Sequence, residues 1–351
     1  MHKNELRRDP VSGNWTIILK NQNHIDKIIH KVQQRPEVSS DACAYCENHE
    51  HETTPEIYAI ADVPRQANEP GWQVRVIPEK YPVLQIHGNL NSRGVGIYDV
   101  LDGIGAHELV VETPQHGIDL SEFEAPQLEK VLAVYKERFL DLKRDNRFRY
   151  VLMHKATSDG DPGFLDHSHS HIIATPITPL LVKEELANAR AHYEYKERCL
   201  FCDIIRQEQE ARVRVVLEHK GFIVIAPFAA RAAFQLMILP KRHETFFEWN
   251  SELYDLAICL QEIFQKMRAV LQNFDYIMVI HSGPNIVAGK QRGYWKTLEK
   301  DFHWHIELTP KVLAFHSFEA SSGFQVNPVP PEVAAAILRS GKLHNELDPI
   351  A

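Results

Sequence analysis

An internal repeat is the sequence feature that most constrains the fold of this chain, because one order of motifs occurs twice in its 351 residues. Each copy begins with a Cys-x-x-Cys motif, at 43–46 and at 199–202, and continues through short β-type runs and a long amphipathic helix. The first copy closes on His167-Ser-His-Ser-His171 and the second on His303-Trp-His-Ile-Glu307. The repeat predicts an α+β fold made by tandem duplication, in which each unit is an antiparallel sheet packed by a long helix.

Hydrophobic periodicity predicts the elements of each copy. The predicted strands of the first copy are 73–77, 82–86, 107–113, 149–153 and 168–175, and those of the second are 213–217, 222–226, 234–239, 276–280 and 303–307. The long helices are predicted over 121–147, with Ser121 and Glu124 as a capping box, and over 251–273. A charged helix over 182–198 would join an N-terminal unit, residues 1–190, to a C-terminal unit, residues 191–351.

Composition and charge limit the classes of function. The chain is 44% hydrophobic and 25% charged, as a soluble globular protein is, and its first residues lack the apolar core of a signal peptide. No apolar stretch approaches the length of a membrane span, so a cytoplasmic protein without a membrane partner is expected. A net charge of −8 with no basic cluster argues against nucleic acid as a partner, but a small phosphorylated ligand stays possible.

The cysteines indicate metal sites. Four of the five cysteines form the two Cys-x-x-Cys motifs, which in a reducing compartment favour metal over a disulfide, while Cys259 is expected to be a buried apolar side chain. Each unit also offers two histidines at matching positions, so one or two zinc ions per chain are predicted, each held structurally by four protein ligands. The alternative is that one or both motifs are incidental free thiols. The predicted sets are Cys43, Cys46, His116 and His167 in the first unit, and Cys199, Cys202, His243 and His303 in the second.

The alternating histidines indicate phosphorus chemistry. Alternation along a strand places His167, His169 and His171 on one face, beside the first predicted zinc. The neutral imidazole of His169 can attack an α-phosphorus in line and form a covalent phosphoramidate, while His171 donates to a nonbridging oxygen. A single histidine on a strand is usually structural, but three in strict alternation beside a metal set favour function. The candidate phosphate ligands are Ser168, Ser170 and backbone N–H groups of the Gly/Asp-rich loop at 158–163.

These motifs resemble those of the galactose-1-phosphate uridylyltransferases and the related ADP-glucose phosphorylases, a branch of the histidine-triad superfamily built from two triad-type halves. The resemblance spans nearly the whole chain and implies that each repeat unit is a histidine-triad-type unit. The matching segments are Arg8-Asp9-Pro10, Gly13-Asn14-Trp15, Arg35-Pro36, Cys43-x-x-Cys46, Thr113-Pro-Gln-His116, His167-x-His169 and Gly323-Phe-Gln-Val-Asn327-Pro-Val-Pro-Pro-Glu332.

The resemblance implies a nucleotidyltransferase of galactose metabolism that works by a ping-pong cycle. A nucleoside diphosphate sugar would give its nucleotidyl group to His169, which matches the family nucleophile, and a sugar 1-phosphate would then collect that group. The resemblance also implies that Glu319 binds sugar hydroxyls and that the chain forms a homodimer with shared sites. The alternative for Glu319 is a solvated loop carboxylate.

The resemblance also bears on the metal sites. It implies the same first zinc set, and it implies that the second set is the second zinc of the phosphorylase branch. In the uridylyltransferases, residues matching Glu185, His281, His303 and His305 instead hold iron or zinc. Because His303 cannot easily serve both sets, the cysteine-containing set is favoured.

The third position of the triad departs from both branches. They have glutamine there, whereas this chain has His171, as hydrolytic triad proteins do. Since histidine can also move a proton, hydrolysis or phosphorolysis of nucleotide sugars or dinucleotides is a second hypothesis, and a nucleotide-binding module without turnover is a third. Glu79 stands where the family often has asparagine. The family's loop before the triad usually contains Asn-x-Gly and serines, and this chain has the different segment from His154 to Gly163 there. The base of the nucleotide, the hexose and the final acceptor therefore stay open.

Overall fold

The computed structural model describes residues 3–20, 25, 29, 43–157, 167–289, 295–312 and 317–342. The Gly/Asp-rich loop predicted at 158–163 and the Arg35-Pro36 motif lie outside the described residues. The strands are β1 (Glu5–Arg8), β2 (Trp15–Ile18), β3 (Tyr58–Ala61), β4 (Trp72–Pro78), β5 (Arg93–Val95), β6 (Tyr98–Val100), β7 (Ala106–Val111), β8 (Tyr150–Ala156), β9 (His169–Thr175), β10 (Val215–His219), β11 (Phe222–Ile225), β12 (Leu236–Pro240), β13 (Tyr276–His281), β14 (His305–Pro310) and β15 (Gln325–Asn327). The helices are α1 (Ala125–Leu142), α2 (Leu180–Lys196), α3 (Leu200–Ala211), α4 (Leu253–Leu271), α5 (Ile286–Gly289), α6 (Leu298–Asp301), α7 (Ser317–Ser322) and α8 (Pro331–Ser340).

Within the described residues, ten strands form one antiparallel sheet in the order β10-β11-β12-β14-β13-β8-β9-β7-β4-β3. Each half contributes five strands, and both halves follow the same order from the outer strand to the middle of the sheet. β8 of the first half pairs with β13 of the second, with Ala156 opposite Ile277 and Met153 opposite Ile280. The predicted α+β class is confirmed, and the equal strand order is what a tandem duplication predicts. The sequence predicted one sheet per unit, but pairing joins the two because it satisfies backbone groups that would otherwise line two sheet edges.

The two long helices, α1 and α4, cover one face of this sheet and pack against each other. Their apolar stripes are buried as the periodicity predicted, and each buried Leu, Ile or Phe stabilises the fold by about 1.5–3 kcal/mol. The buried positions include Leu128, Val131, Leu132, Tyr135 and Phe139 in α1, and Leu256, Leu260, Ile263, Phe264 and Met267 in α4. No helix in the described part of the chain combines the length and the apolar character needed to cross a membrane.

The first long helix begins later than predicted. The capping box is formed by Asp119 and Glu122 around a short 3-10 turn, Leu120–Glu122, and α1 starts at Ala125. Pro126 lies in the first turn of α1, where its missing N–H removes no helical hydrogen bond. The predicted box of Ser121 and Glu124 is therefore wrong by two residues.

The outer strand of the first half also differs from the prediction. Residues 82–86 do not form a strand. Their β-type pairing in the described structure is a single isolated bridge between Gln85 and Ile104. Val83 and Ile86 are exposed. An apolar run forms a strand only where a neighbouring strand pairs with it and buries one of its faces, and no strand does so here among the described residues. The outer strand is instead β3, which pairs antiparallel with β4 and which the periodicity missed.

A second sheet ties the start of the described chain to its end. β1 and β2 form a hairpin, and β15 adds to β2 in parallel. Arg7 Nη1 lies 2.8 Å from Glu332 Oε1, which fixes the hairpin against α8. Residue 190 lies inside the continuous helix α2, and the division into residues 1–190 and 191–351 stays a prediction.

Candidate active site and metal centres

β9 carries the alternating histidines near the middle of the large sheet, paired with β7 on one side and β8 on the other. Ser168 and Ser170 are buried, and Ser170 Oγ lies 2.8 Å from the Tyr135 hydroxyl of α1. Because side chains alternate along a strand, His169 and His171 point to the opposite face of the sheet, where they are half-buried. The helices therefore support the strand from behind, and the imidazoles lie on the face that α1 does not cover.

The four residues of the first cysteine and histidine set lie close together in the structure, as predicted. The Sγ atom of Cys46 lies 3.5 Å from His116 Nδ1 and 3.6 Å from His167 Nδ1, and Cys43 Sγ lies 3.6 Å from the same His167 nitrogen. A tetrahedral zinc with ordinary bond lengths holds sulfur and nitrogen about 3.6 Å apart. His167 Nε2 lies 2.7 Å from the Thr113 carbonyl oxygen, so Nε2 carries the proton and Nδ1 is free to bind a metal. The donor set fits zinc.

The second set repeats this arrangement. Cys202 Sγ lies 3.4 Å from His243 Nδ1 and 3.7 Å from His303 Nδ1, and the ligand atoms of all four residues, including Cys199, lie within 4.8 Å of one another. His303 Nε2 donates to the Pro240 carbonyl over 2.8 Å, again leaving Nδ1 for a metal. Two thiolates and two imidazoles are the donor set of structural zinc, so the iron predicted as possible at this site is not supported.

A further cluster lies beside the second set. Glu185, His281 and His305 are all buried and bring their ligand atoms within 4.8 Å of one another, with His281 Nδ1 3.1 Å from the Glu185 carboxylate. Burial alone would lower the pKa of His281, but the Glu185 carboxylate raises it above its ordinary value. The four-residue set that the uridylyltransferase resemblance implied does not form here, because the fourth member, His303, directs Nδ1 to Cys202.

His169 has a fixed tautomer. Its Nδ1 lies 2.7 Å from the carbonyl oxygen of His167, and a carbonyl can only accept, so Nδ1 carries the proton. The lone pair is thereby left on Nε2. Burial, and next the nearby Lys155 ammonium, lower the pKa of His169, which keeps the ring neutral. The Tyr45 ring flanks it at 5.7 Å between ring centroids.

Lys155 supports β9 from the side of the sheet that α1 covers. Its buried ammonium donates to Glu112 over 2.7 Å, to Ser168 Oγ over 3.0 Å and to the His169 carbonyl over 3.1 Å. The sequence placed Lys155 in the loop before the triad, whereas β8 extends through Ala156. In the structure the buried Val151, Met153 and Lys155 alternate with the half-buried Leu152 and His154, but the residue types of 150–156 show no apolar and polar alternation that would have indicated this longer strand.

The serine hydroxyls do not face the histidines. Ser168 Oγ donates to Glu112 over 2.6 Å and accepts from the Leu120 N–H over 3.1 Å, while Ser170 Oγ contacts Tyr135. The structure therefore does not support the predicted binding of phosphate by these two hydroxyls. The physical reason is the same alternation that brings the imidazoles together, because it turns the intervening side chains to the helix side.

His171 lies among histidines that the sequence analysis did not single out. Its Nδ1 is 3.0 Å from Nε2 of His107 on β7, and its ring stacks on His154 of β8 with centroids 5.2 Å apart and planes 14° apart. Burial and the neighbouring imidazoles lower the pKa of His171 to about 3. Glu79 lies close enough to His107 and His171 that the three ligand atoms fall within 4.8 Å. Period-two alternation in 107–111 could have indicated that His107 shares the site face.

Glu319 contacts the second sheet, through β15. It is 7% exposed in α7, and its Oε1 accepts the Val326 N–H over 2.9 Å. It is therefore not the solvated loop carboxylate that the sequence left as an alternative. Its predicted contact with sugar hydroxyls stays a prediction.

Comparison with known proteins finds relatives that match nearly the whole chain. No protein-family model matches it. The chain is 29% identical over 346 residues to the ADP-glucose phosphorylase of Arabidopsis thaliana, which covers 97% of this chain and 93% of that protein. It is 26% identical over 346 residues to the galactose-1-phosphate uridylyltransferase of Thermotoga maritima, covering 95% and 98% of the two chains.

Solved structures agree in fold. An Arabidopsis thaliana ADP-glucose phosphorylase with bound ADP-glucose is similar with a TM-score of 0.80 and 27% identity, over 97% of this chain and all of that one (100%). A structure of a uridylyltransferase is similar with a TM-score of 0.71 and 23% identity, over 97% and 98% of the two chains. The second of these likenesses concerns the fold alone.

Proposed function

We propose that this chain, a homologue of the galactose-1-phosphate uridylyltransferases and of ADP-glucose phosphorylase, is a nucleotidyltransferase that carries a nucleoside monophosphate on His169. The observation that carries the proposal is the 2.7 Å contact between His169 Nδ1 and the His167 carbonyl, which places the ring proton on Nδ1 and makes Nε2 the nucleophilic nitrogen, on the face of the sheet that α1 does not cover. A neutral, oriented imidazole is the form of histidine that attacks phosphorus.

In the first half of the proposed cycle, the His169 Nε2 lone pair attacks the α-phosphorus of a nucleoside diphosphate hexose. The bond between that phosphorus and the bridging oxygen breaks, and hexose 1-phosphate leaves with the electron pair. Positive charge develops on the ring, and the Nδ1–H bond to the His167 carbonyl stabilises it. In the second half, an oxygen of another sugar 1-phosphate attacks phosphorus, and the electron pair of the P–N bond returns to Nε2.

We propose structural zinc at both cysteine and histidine sets. At the first set zinc would join the Cys43 to Cys46 turn, the segment with His116 and the start of β9, and so hold His167 and its carbonyl beside the nucleophile. The support is the match between the observed sulfur to nitrogen distances and tetrahedral zinc. With four protein ligands the ion supplies rigidity and takes no part in the chemical steps.

Phosphorolysis is a second candidate function, supported by the likeness of the whole chain to ADP-glucose phosphorylase. Inorganic phosphate would then collect the nucleotidyl group instead of a sugar 1-phosphate. The chemistry at His169 is the same in both cases. The identity of the donor and the acceptor separates them.

Covalent labelling tests the proposal. The protein is incubated with UDP-glucose or ADP-glucose labelled at the α-phosphorus, separated from free nucleotide, and exposed to glucose 1-phosphate, galactose 1-phosphate, phosphate or buffer alone. We expect label on the protein that a sugar 1-phosphate releases at least about tenfold faster than buffer does. Release by phosphate alone favours phosphorolysis, and release by buffer alone favours hydrolysis. Nucleotide binding without any label would contradict the proposal.

We also propose a homodimer and a cytoplasmic location. The hairpin of β5 and β6 exposes Val95, Ile97 and Tyr98 by 56%, 92% and 68%, an apolar surface that a second copy can cover. The five cysteines, all within the described residues, form no disulfide, which suits a reducing compartment. Sedimentation of the wild type and of Ile97→Lys tests the dimer, which predicts a halved mass for the variant, and fractionation of cells tests the location.

A further inference from the structure

The hydrogen bonds around His171 have a fixed direction. The backbone N–H of Val83, which can only donate, points to His107 Nδ1 over 3.3 Å. His107 Nδ1 is therefore the accepting nitrogen, and the proton of the neutral ring lies on Nε2. His107 Nε2 lies 3.0 Å from His171 Nδ1, so His107 donates and His171 accepts there. The proton of the neutral His171 ring is thus left on Nε2.

The His171 ring is also held in place by its neighbours. His154 lies directly opposite His171 in the pairing of β8 with β9, and the two rings are stacked within 14° of parallel. The His169 ring packs against His171 edge-on at 5.4 Å between centroids. A ring that is stacked on one face and hydrogen-bonded at one edge cannot turn over without breaking both contacts.

A cation held by Glu79, His107 and His171 is the competing explanation, because their ligand atoms lie within 4.8 Å. Binding through His107 Nε2 would move the ring proton to Nδ1, where it would meet the Val83 N–H, and two donors would then face each other. The hydrogen-bonded arrangement has no such conflict. Burial lowers the pKa of both His107 and His171, which also keeps these rings neutral.

We infer that His107 is a positioning residue that holds His171 as a neutral N–H donor, so that the third triad position donates as glutamine would and does not activate water. The inference rests on the proposed function at His169. It decides between the transferase and hydrolase alternatives that His171 raised, because the Nδ1 lone pair is occupied by His107 and Nε2 carries a proton. His171 then has no lone pair with which to accept a proton from water.

The consequence for the intermediate follows from proton balance. For hydrolysis, a water oxygen must attack phosphorus, the P–N bond to His169 must break, and a base must accept the water proton. Without the donor at position 107, His171 can carry its proton on Nδ1 and offer the Nε2 lone pair as that base. Removal of His107 should therefore open hydrolysis, and it should do so only while a histidine stands at 171.

The test combines His107→Phe, His107→Gln, His171→Gln and the double variant His107→Phe/His171→Gln in the full-length protein. The measured quantity is the rate at which buffer alone releases label from the nucleotidylated protein, compared with release by sugar 1-phosphate. We expect His107→Phe to raise release by water about 10- to 100-fold, within the range of general base catalysis. Release should stay near the wild-type rate in His107→Gln, whose amide can still donate, in His171→Gln and in the double variant. His51→Phe, at a side chain that is 77% exposed, is the matched control.

A second readout does not depend on turnover. In protein labelled with ¹⁵N at histidine, long-range ¹H–¹⁵N correlation reports which ring nitrogen carries the proton, and the His171→Gln variant assigns the signals of His171. We expect the Nε2–H tautomer in the wild type and in His107→Gln, and a shift towards Nδ1–H in His107→Phe. A wild-type His171 in the Nδ1–H form would overturn the inference.

The two readouts separate failure of the inference from failure of the proposed function. No covalent label on a folded wild-type protein contradicts the role of His169, while the tautomer still tests His107. Labelled protein that loses its nucleotide to water equally fast in the wild type and in His107→Phe overturns the inference alone. A double variant that hydrolyses as fast as His107→Phe would also overturn it, because the base would then not be His171.

Discussion

His169 and His305 occupy the same position in the two halves of the sheet, each two residues after a histidine of a cysteine-containing set. Each directs Nδ1 to the carbonyl of that histidine, over 2.7 Å for His169 and 3.2 Å for His305. His305, however, is fully buried between His281, stacked at 4.5 Å, and Phe201, at 5.1 Å. The shared scaffold fixes the tautomer in both halves, but the first half leaves its imidazole partly exposed, whereas the second half buries the equivalent ring completely.

The residues next to these two histidines are polar in the first half and largely apolar in the second. Behind His169, Ser168 and Ser170 join a polar network, whereas the equivalent positions behind His305 are Trp304 and Ile306, buried in the apolar core. The third position is His171 in one half and Glu307, paired with Arg231, in the other. A polar support behind the strand and a histidine at the third position therefore distinguish the first half from the second, where the support is apolar and the third position is an ion-paired carboxylate.

The largest effect expected from this comparison concerns the two histidines themselves. His169→Asn should lower covalent labelling by at least about 1,000-fold, because the amide has no nucleophilic lone pair. His305→Asn should keep more than half of the wild-type labelling per folded molecule. Gel autoradiography after incubation with labelled nucleotide sugar measures both, with circular dichroism to check folding. Equal loss in two folded variants would break the comparison.

The second effect concerns the two metal sets. Each of Cys43→Ser and Cys199→Ser should lower the zinc content from two ions to one per chain, because a four-ligand site loses most of its affinity with one thiolate. We expect labelling to fall about tenfold or more only in Cys43→Ser, since that set adjoins His169, although both should lower the melting temperature. Elemental analysis, labelling and thermal unfolding are the measurements. Cys259→Ser is the control, and zinc absent from unchelated wild-type protein would refute both sites.

The third effect compares the polar network that supports β9 with the apolar core that supports β14. Lys155→Met leaves the Glu112 carboxylate buried without its cationic partner, at 2.7 Å in the wild type, and should lower the free energy of unfolding by about 3–5 kcal/mol. Ile306→Val, in the apolar support, should lower it by only about 0.5–1.5 kcal/mol. Urea unfolding measures both. A loss in Lys155→Met no larger than that in Ile306→Val would show that the polar network is not the main support of β9.

The smallest effect concerns the aromatic residue within each Cys-x-x-Cys motif. Tyr45→Phe gives the first half the residue that Phe201 supplies in the second, and the ring contact with His169 at 5.7 Å is retained. We expect the rate of label transfer to stay within about threefold of wild type, because the structure gives the ring, and not the hydroxyl, a contact with the nucleophile. Single-turnover labelling measures the rate, and a loss above tenfold would assign a catalytic role to the Tyr45 hydroxyl.

Much of the site could be predicted from sequence because its signals are local or recur. The spacing of the Cys-x-x-Cys motifs and the histidine alternation predicted the fold class, and the motifs predicted the similarity to the uridylyltransferases and ADP-glucose phosphorylase; both predictions are confirmed. The four members of each metal set also lie together as predicted. His107 and His154 were missed because they lie on the two strands beside β9, and although alternation can indicate the face of each strand, no sequence spacing shows that these strands are neighbours of β9.

The sequence by itself determined the periodicities: which residues share a strand face, which helix stripe is buried, and which cysteines and histidines are repeated. These follow from backbone geometry, which is the same wherever an element is placed. Only the tertiary structure decided that the two units share one sheet, that His305 is closed off while His169 is not, and that His107 donates to His171. Such facts depend on strand neighbours and on single hydrogen-bond directions, which arise when distant segments pack and which no local pattern encodes.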